Sequence, residues 1–377
     1  MLQMSSRRIR ILTLVALACF LSLYFHKMAN TPVPLFIKTR FFEPQNGSHS
    51  SPYKRYGEET QFSSNNASEL FKLASKCLLK AKQDISEYLH KTSNLPGDQS
   101  KSRQIPDCNE HYLLIILVTT RPGNFANRVA IRLSWGRMDS AINSYIKKNN
   151  IDYKWKSIFS VGLANSPNIG NLVALENERY KDMLRLPYKD TYKNLPNKTM
   201  NSLEWIAENC QAKFVLKTDD DCFVNIFKVL PWLQNLPSHH RYIGRVNNEM
   251  PVIRDPKHRN YVSVAEHKDN YYKPYCAGGG YILRSSIIRN VTTMGKKIKQ
   301  IINEDAYMGM LTNALGVSPK NEERFLPYIF FGPPVKKLHI CDWKDQFLIH
   351  NVFGKRQLIM HYNSIAMKHF HSLCEKF

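Results

Sequence analysis

Asp219, Asp220 and Asp221 stand in an unbroken row directly after the apolar run Phe214-Val215-Leu216 and its flanking Lys217-Thr218. Adjacent carboxylates repel one another and raise each other's pKa unless a cation sits among them. Alternate residues of an extended segment point to one side, so Asp219 and Asp221 are expected to face a common ligand while Asp220 turns away. Oxygen donors suit Mg²⁺ or Mn²⁺, ions that bridge onward to phosphate oxygens rather than fill an all-protein cage. A solvated acidic turn or a helix N-cap cluster is the plainer account of three aspartates. The hydrophobic strand before them and Phe223-Val224-Asn225 after them favour the metal. A second acidic pair, Glu304-Asp305, precedes a helical stretch through Tyr307 to Leu315, where carboxylates suit the first turn.

The elements that must carry these residues read as alternating strands and helices. Tyr112 to Val118 is a continuous apolar run, as expected of a strand buried on both faces. Arg121-Pro122-Gly123-Asn124 turns the chain, and Phe125 to Trp135 has helical spacing. A strand is expected over Ser157 to Leu163, a helix around Leu172 to Leu184, and another buried strand over Lys213 to Lys217. This order predicts an α/β domain with a mostly parallel central sheet, whose ligands gather at the carboxyl ends of the strands.

Upstream, Arg7-Arg8-Ile9-Arg10 precedes an apolar run from Ile11 to Phe25. Its bulky end (Leu21, Leu23, Tyr24, Phe25) favours a retained anchor over a cleaved signal peptide. About 15–17 residues at ~1.5 Å each span ~25 Å, enough for the thinner early secretory membranes. Arginines before the span keep that end cytosolic. The chain is therefore read as a cytosolic tail (1–10), a transmembrane signal anchor (11–27), a luminal stem (28–108) and a catalytic domain (109–377), with an amphipathic helix from Leu70 to Tyr88. Sequons at Asn46, Asn66, Asn197 and Asn290 agree with that address. The formal charge of +22 calls for an anionic partner; a phosphate-bearing ligand fits a secretory address and nucleic acid does not. Cys19 lies in the span, which leaves seven cysteines for the lumen and no CxxC spacing, so disulfides are expected with at least one odd thiol, assigned to Cys222.

In order along the chain come Arg128-Val129-Ala130-Ile131-Arg132-Leu133-Ser134-Trp135-Gly136, Glu176 and Asp182, Asp190-Thr191-Tyr192-Lys193-Asn194-Leu195, Lys198-Thr199, Trp205, Cys210 and Lys217-Thr218-Asp219-Asp220-Asp221. Tyr275-Cys276-Ala277-Gly278-Gly279-Gly280-Tyr281 and Glu304-Asp305-Ala306-Tyr307-Met308-Gly309 follow. Over about 112–350 this series resembles the β-1,3-galactosyltransferase and β-1,3-N-acetylglucosaminyltransferase family, glycosyltransferase family 31.

The resemblance implies a GT-A nucleotide-sugar fold and an inverting displacement that moves galactose from UDP-galactose to a glycan hydroxyl on glycoprotein or glycolipid, forming a β-1,3 bond. The alternatives are an N-acetylglucosaminyl donor or, in another class, an inactive glycan-binding relative. It implies Mn²⁺ held by Asp219, Asp221 and His350, a catalytic base at Asp305 with Glu304 as alternative, and a donor site of Arg128, Arg132, Lys198, Asp219 and Asp220. For the two arginines, a salt bridge inside the domain is the equal alternative. Gly278 to Gly280 is expected to let a sugar approach the backbone, or else to form a plain turn. A Golgi membrane location with a luminal catalytic domain follows from the same likeness, and homo-oligomers are allowed. The chain departs from the family pattern at Pro196, at Ala306 beside the base, and at Met310 where a cysteine is usual.

Overall fold

A computed structural model describes residues 106–136, 154–326 and 340–367. The anchor, nearly all of the stem and the Leu70–Tyr88 helix lie outside the described residues. Among the described residues no helix is long and apolar enough to cross a membrane.

Strand β1 (His111–Thr119) lies inside a seven-stranded sheet, next to its central strand. It pairs in parallel with β2 (Trp155–Leu163) on one side and β4 (Gln211–Asp219) on the other. Outside β2 lies β3 (Met183–Lys189), also parallel. Beyond β4 the direction changes: β7 (Tyr275–Arg284) runs antiparallel to β4, and β6 (Tyr242–Asn247) antiparallel to β7. A two-residue strand, β8 (Lys320–Asn321), closes that edge. The sheet is thus parallel in its first half, as expected, and antiparallel where the second acidic pair is delivered.

Side-chain alternation makes β1 the divider of two cores. Leu114, Ile116 and Val118 join the cluster that includes Trp135, Phe159, Leu216 and Phe347, while Ile115 and Leu117 join the one with Leu203, Val215, Tyr281 and Tyr307. A second, three-stranded sheet is built from β5 (Cys222–Val224), β9 (Phe325–Leu326) and β10 (Leu348–His350), with β10 in the middle.

The helices are α1 (Phe125–Arg132), α2 (Pro167–Tyr180), α3 (Leu195–Asn209), α4 (Ile226–Gln234), α5 (Ser285–Gly295), α6 (Glu304–Ala314), α7 (Ile340–Trp343) and α8 (Lys355–Met367). Two expected helix ends are wrong. The helix placed around Leu172 to Leu184 starts at Pro167 and stops at Tyr180, because Lys181 adopts the left-handed conformation (φ 51°) and its N–H closes on the Asn177 carbonyl. Met183 onward is strand β3. The helix expected to reach Trp135 is also shorter, ending at Arg132 before a turn. Pro196 is no obstacle, since it sits in the first turn of α3 where no N–H partner is needed.

A disulfide joins Cys108, just before β1, to Cys210, just before β4. Cys341 is also disulfide-bonded, and Cys222 and Cys276 are free buried thiols. The two sequon asparagines within the described residues, Asn197 and Asn290, are exposed.

Beneath the β1 tip lies a closed ion network. Arg128, fully buried, donates through Nε and Nη2 to Glu176 at 2.6–3.1 Å, and to the Arg121 and Pro122 carbonyls. Arg132 donates to Glu176 at 2.5 Å and to both oxygens of Asp182 at 2.8 Å. Burial by itself would raise the Glu176 carboxyl, but the hydrogen bonds and charges of the two arginines hold it below its usual range. Removing the charge of Glu176 leaves two buried guanidiniums against one partner. Glu176→Gln is therefore expected to lower the unfolding free energy by about 3 kcal/mol, read from the midpoint of urea denaturation; an unchanged midpoint would show that the network contributes nothing net.

Candidate active site

The three aspartates leave the end of β4 in three directions. Asp219 accepts from the Thr119 hydroxyl of the neighbouring strand and from Lys217 Nζ at 3.0 Å. Asp220 turns the other way, toward the start of α1, and accepts from Thr120, from Asn124 at 2.9 Å and from Asn127 at 3.2 Å. Burial pushes its carboxyl up in spite of these donors. Asp221 faces β10, where its Oδ2 is 3.4 Å from His350 Nε2. Burial works against the charged form of Asp221, yet hydrogen bonding to His350 and the charge beside it hold the carboxyl below its usual range.

His350 arrives there through backbone pairing. In the antiparallel β5–β10 ladder it stands opposite Cys222. The chain then turns at Asn351, with φ 62°, and the Val352 N–H donates to the Asp221 carbonyl at 2.8 Å. From α8, Gln357 donates to the Asp220 carbonyl at 2.8 Å. A segment more than 120 residues downstream is thus laced onto the tip of β4. Burial disfavours protonated His350, but Asp221 outweighs it and raises the imidazole above its ordinary value. Donor atoms from Asp221, Cys222 and His350 lie within 4.8 Å of one another, so a divalent cation fits between the carboxylate and the imidazole.

The second acidic pair is carried by the first turn of α6, which packs against β7. Glu304 is buried at the first turn of α6, accepting from the Tyr281 hydroxyl at 2.5 Å and lying 3.3 Å from Lys217 Nζ. Asp305 is only partly buried. Its Oδ2 accepts from the Gly278 N–H at 3.0 Å and its Oδ1 from the Ala306 N–H at 2.9 Å, so the carboxyl group is aimed by two backbone donors. Burial first, and then the neighbouring Glu304 charge, raises it to about 6. Gly278 to Gly280 lie within strand β7, not in a turn. A Cβ on Gly278 would stand 3.1 Å from Asp305 Oδ2, and one on Gly280 would run into Leu348. Their bareness is used by the protein's own side chains.

Lys217 connects the two acidic centres. Its ammonium, 1% exposed, contacts Asp219 at 3.0 Å, the Gly278 carbonyl at 2.9 Å and Glu304 at 3.3 Å. The sequence reading assigned it no role. The available signal was a lysine at the end of a run otherwise buried, where a charge demands partners.

Four residues expected at the donor site are engaged by partners within the protein. Arg128 and Arg132 are paired with Glu176 and Asp182, the salt-bridge alternative, and both side chains are buried there. Lys198 is 4% exposed and held by Asp190 at 2.6 Å and the Thr120 carbonyl at 2.7 Å. Asp220 is saturated by side-chain donors from β1 and α1. All four shape the strand ends from behind. Glu304, the alternative base, is likewise engaged on both oxygens. Asp219, Asp221, His350 and Asp305 are the residues left partly exposed around the bridge.

Comparison with known proteins places the chain in a family. The profile of the family described as Galactosyltransferase matches residues 126–323, more than half of the chain. The mouse "Acetylgalactosaminyl-O-glycosyl-glycoprotein beta-1,3-N-acetylglucosaminyltransferase" is 28% identical over 257 residues, covering 66% of this chain and 63% of that protein. The mouse "UDP-GalNAc:beta-1,3-N-acetylgalactosaminyltransferase 1" is 32% identical over 266 residues, covering 68% and 76%. A Xenopus tropicalis "Lactosylceramide 1,3-N-acetyl-beta-D-glucosaminyltransferase" is 30% identical over 250 residues, covering 64% and 63%. The match thus spans somewhat less than two thirds of the first and third of these relatives. A sheet that changes direction after its fourth strand, an acidic tip on that strand and this run of matched residues lead to one conclusion: the chain belongs to the galactosyltransferase family, glycosyltransferase family 31.

Proposed function

We propose that the protein is an inverting GT-A glycosyltransferase, moving a sugar from a UDP-sugar to a glycan hydroxyl with formation of a β-1,3 bond. The observation that carries this reading is the pair of acidic centres joined by Lys217: a carboxylate–imidazole couple on one side, and on the other a carboxylate of raised pKa held by two backbone N–H groups. The donor is proposed to be UDP-galactose or a UDP-N-acetylhexosamine. The family description favours the first and the names of the relatives favour the second. A single-pass type II anchor in the Golgi membrane, with this domain in the lumen, completes the proposal; Arg7 to Arg10 and the apolar run after them support it.

In this mechanism Asp305 takes the proton of the acceptor hydroxyl as that oxygen attacks the anomeric carbon and the bond to UDP breaks. A base whose pKa lies at about 6 is largely ionised near neutral pH and still basic enough to draw the proton. Gly278 and Ala306 hold its two oxygens, so little reorganisation is needed. Asp221 and His350 would hold Mn²⁺ or another divalent cation, which when bound offsets the charge gathering on the departing diphosphate. Asp219 is not among the donor atoms gathered at Asp221 and His350; it pairs with Lys217, which keeps positive charge at the strand tip. Glu304, by pairing with Lys217 and Tyr281, keeps the start of α6 in register with β7.

Asp305→Asn preserves shape and loses the base. In a UDP-sugar transfer assay it is expected to lower kcat by about 10²–10⁴ while leaving UDP affinity within error; full activity would remove Asp305 from the mechanism. For the wild type at saturating cation, kcat should rise as pH passes up through about 6 and then level, since the deprotonated form is active. A loss at low pH that shifts with Mn²⁺ concentration reports instead on His350, whose raised pKa makes protons compete with the cation. Screening UDP-galactose, UDP-N-acetylglucosamine and UDP-N-acetylgalactosamine settles the donor. EDTA and Asp221→Ala should each abolish transfer with the protein still folded by circular dichroism; transfer that persists in EDTA would overturn the cation's role.

A further inference from the structure

The pairing that brings His350 to Asp221 also brings a third donor. Cys222 and His350 are directly opposed in the β5–β10 ladder, so their side chains leave the small sheet on the same face. Cys222 Sγ is 3.8 Å from Asp221 Oδ1, and it donates to the Gly279 carbonyl at 3.1 Å. One sulfur, one carboxylate oxygen and one imidazole nitrogen therefore fall within 4.8 Å of one another. The thiol is wholly buried and outside any disulfide. Asp221 and His350 keep 24% and 25% of their side chains exposed, so the trio is open on one side. An oxygen-only strand tip suits Mg²⁺ or Mn²⁺; a thiolate and an imidazole added to one carboxylate shift the preference to a softer ion. Three protein donors with one open position form the usual framework of an accessible zinc site.

We propose that Asp221, Cys222 and His350 bind a thiophilic divalent ion, Zn²⁺ above all, more tightly than they bind Mn²⁺. On binding, the S–H bond of Cys222 breaks, a sulfur–metal bond forms and the proton passes to solvent, with no change of oxidation state. The hydrogen bond to Gly279 is given up in the exchange. This inference shares Asp221 and His350 with the proposed function and adds the sulfur. Its consequence is competition at the tip of β4, where Zn²⁺ and Mn²⁺ exclude one another.

The test uses the full chain in detergent, with Cd²⁺ as an optical probe and Zn²⁺ and Mn²⁺ affinities measured by calorimetry. A sulfur-to-cadmium charge-transfer band that saturates on titration is expected in the wild type and in Cys276→Ala, and is expected to be missing in Cys222→Val. The same variant should weaken Zn²⁺ by about tenfold or more while moving Mn²⁺ by no more than about threefold. Cys222→Ser, of equal size, supplies the comparison if valine perturbs folding, and should give the same result. A band or a Zn²⁺ affinity that is unchanged by both substitutions overturns the proposal. Mn²⁺ binding and sugar transfer without any Cys222-dependent band would remove the sulfur and leave the transferase reading standing. Failure of both ions to bind would overturn the two together.

Discussion

A lysine ammonium buried at 1% exposure must find negative partners, and Lys217 finds them on both sides of the sheet's change of direction. Lys217 is a residue of β4, so the charge is tied to the central parallel strands. Its contacts are Asp219 at the tip of β4, the Gly278 carbonyl of β7 and Glu304 at the start of α6, so it joins the elements that carry the two acidic groups. Taking an ammonium out of water costs several kcal/mol unless it is fully paired. The spacing between the strand tip and the start of α6 is therefore held by electrostatics as well as by packing.

The same logic repeats behind the site. Arg128, Arg132 and Lys198 are each nearly or wholly buried, and each is matched to a carboxylate drawn from a different segment: Glu176, Asp182 and Asp190. These pairs tie α1, α2, the end of β3 and α3 to the carboxyl ends of β1 and β2. Asp190 also receives the Gly162 N–H at 2.8 Å, which connects the β2 end to Lys198. Residues that look like a phosphate-binding set in one dimension become a counter-charged platform in three. Asp219 and Asp221 then extend from that platform with their outer oxygens available.

Burial, not residue type, separates the roles of neighbouring acids. Glu304 and Asp305 are adjacent, yet one is locked between Tyr281 and Lys217 while the other rests against two backbone N–H groups at an open wall. Asp220 and Asp221 differ in the same way, the first enclosed by Thr120, Asn124 and Asn127 and the second facing His350. In each couple the helix or strand geometry turns consecutive side chains to different surroundings.

The sequence alone determined the alternation of strands and helices in the first half of the domain, the acidic tip at Asp219 to Asp221, the acidic start of the helix at Glu304, and the family, because buried strands and ordered motifs leave local patterns that need no third dimension. It misplaced the helix before Met183, where termination depended on the backbone conformation of one lysine rather than on hydrophobic spacing. Tertiary structure alone decided which charges are spent and which remain available. Arg128 lies 48 residues from Glu176, and His350 reaches Asp221 across 129 positions through a three-residue ladder. Whether a guanidinium meets a ligand or a buried carboxylate is a property of that distant neighbour, and no spacing within its own segment encodes it.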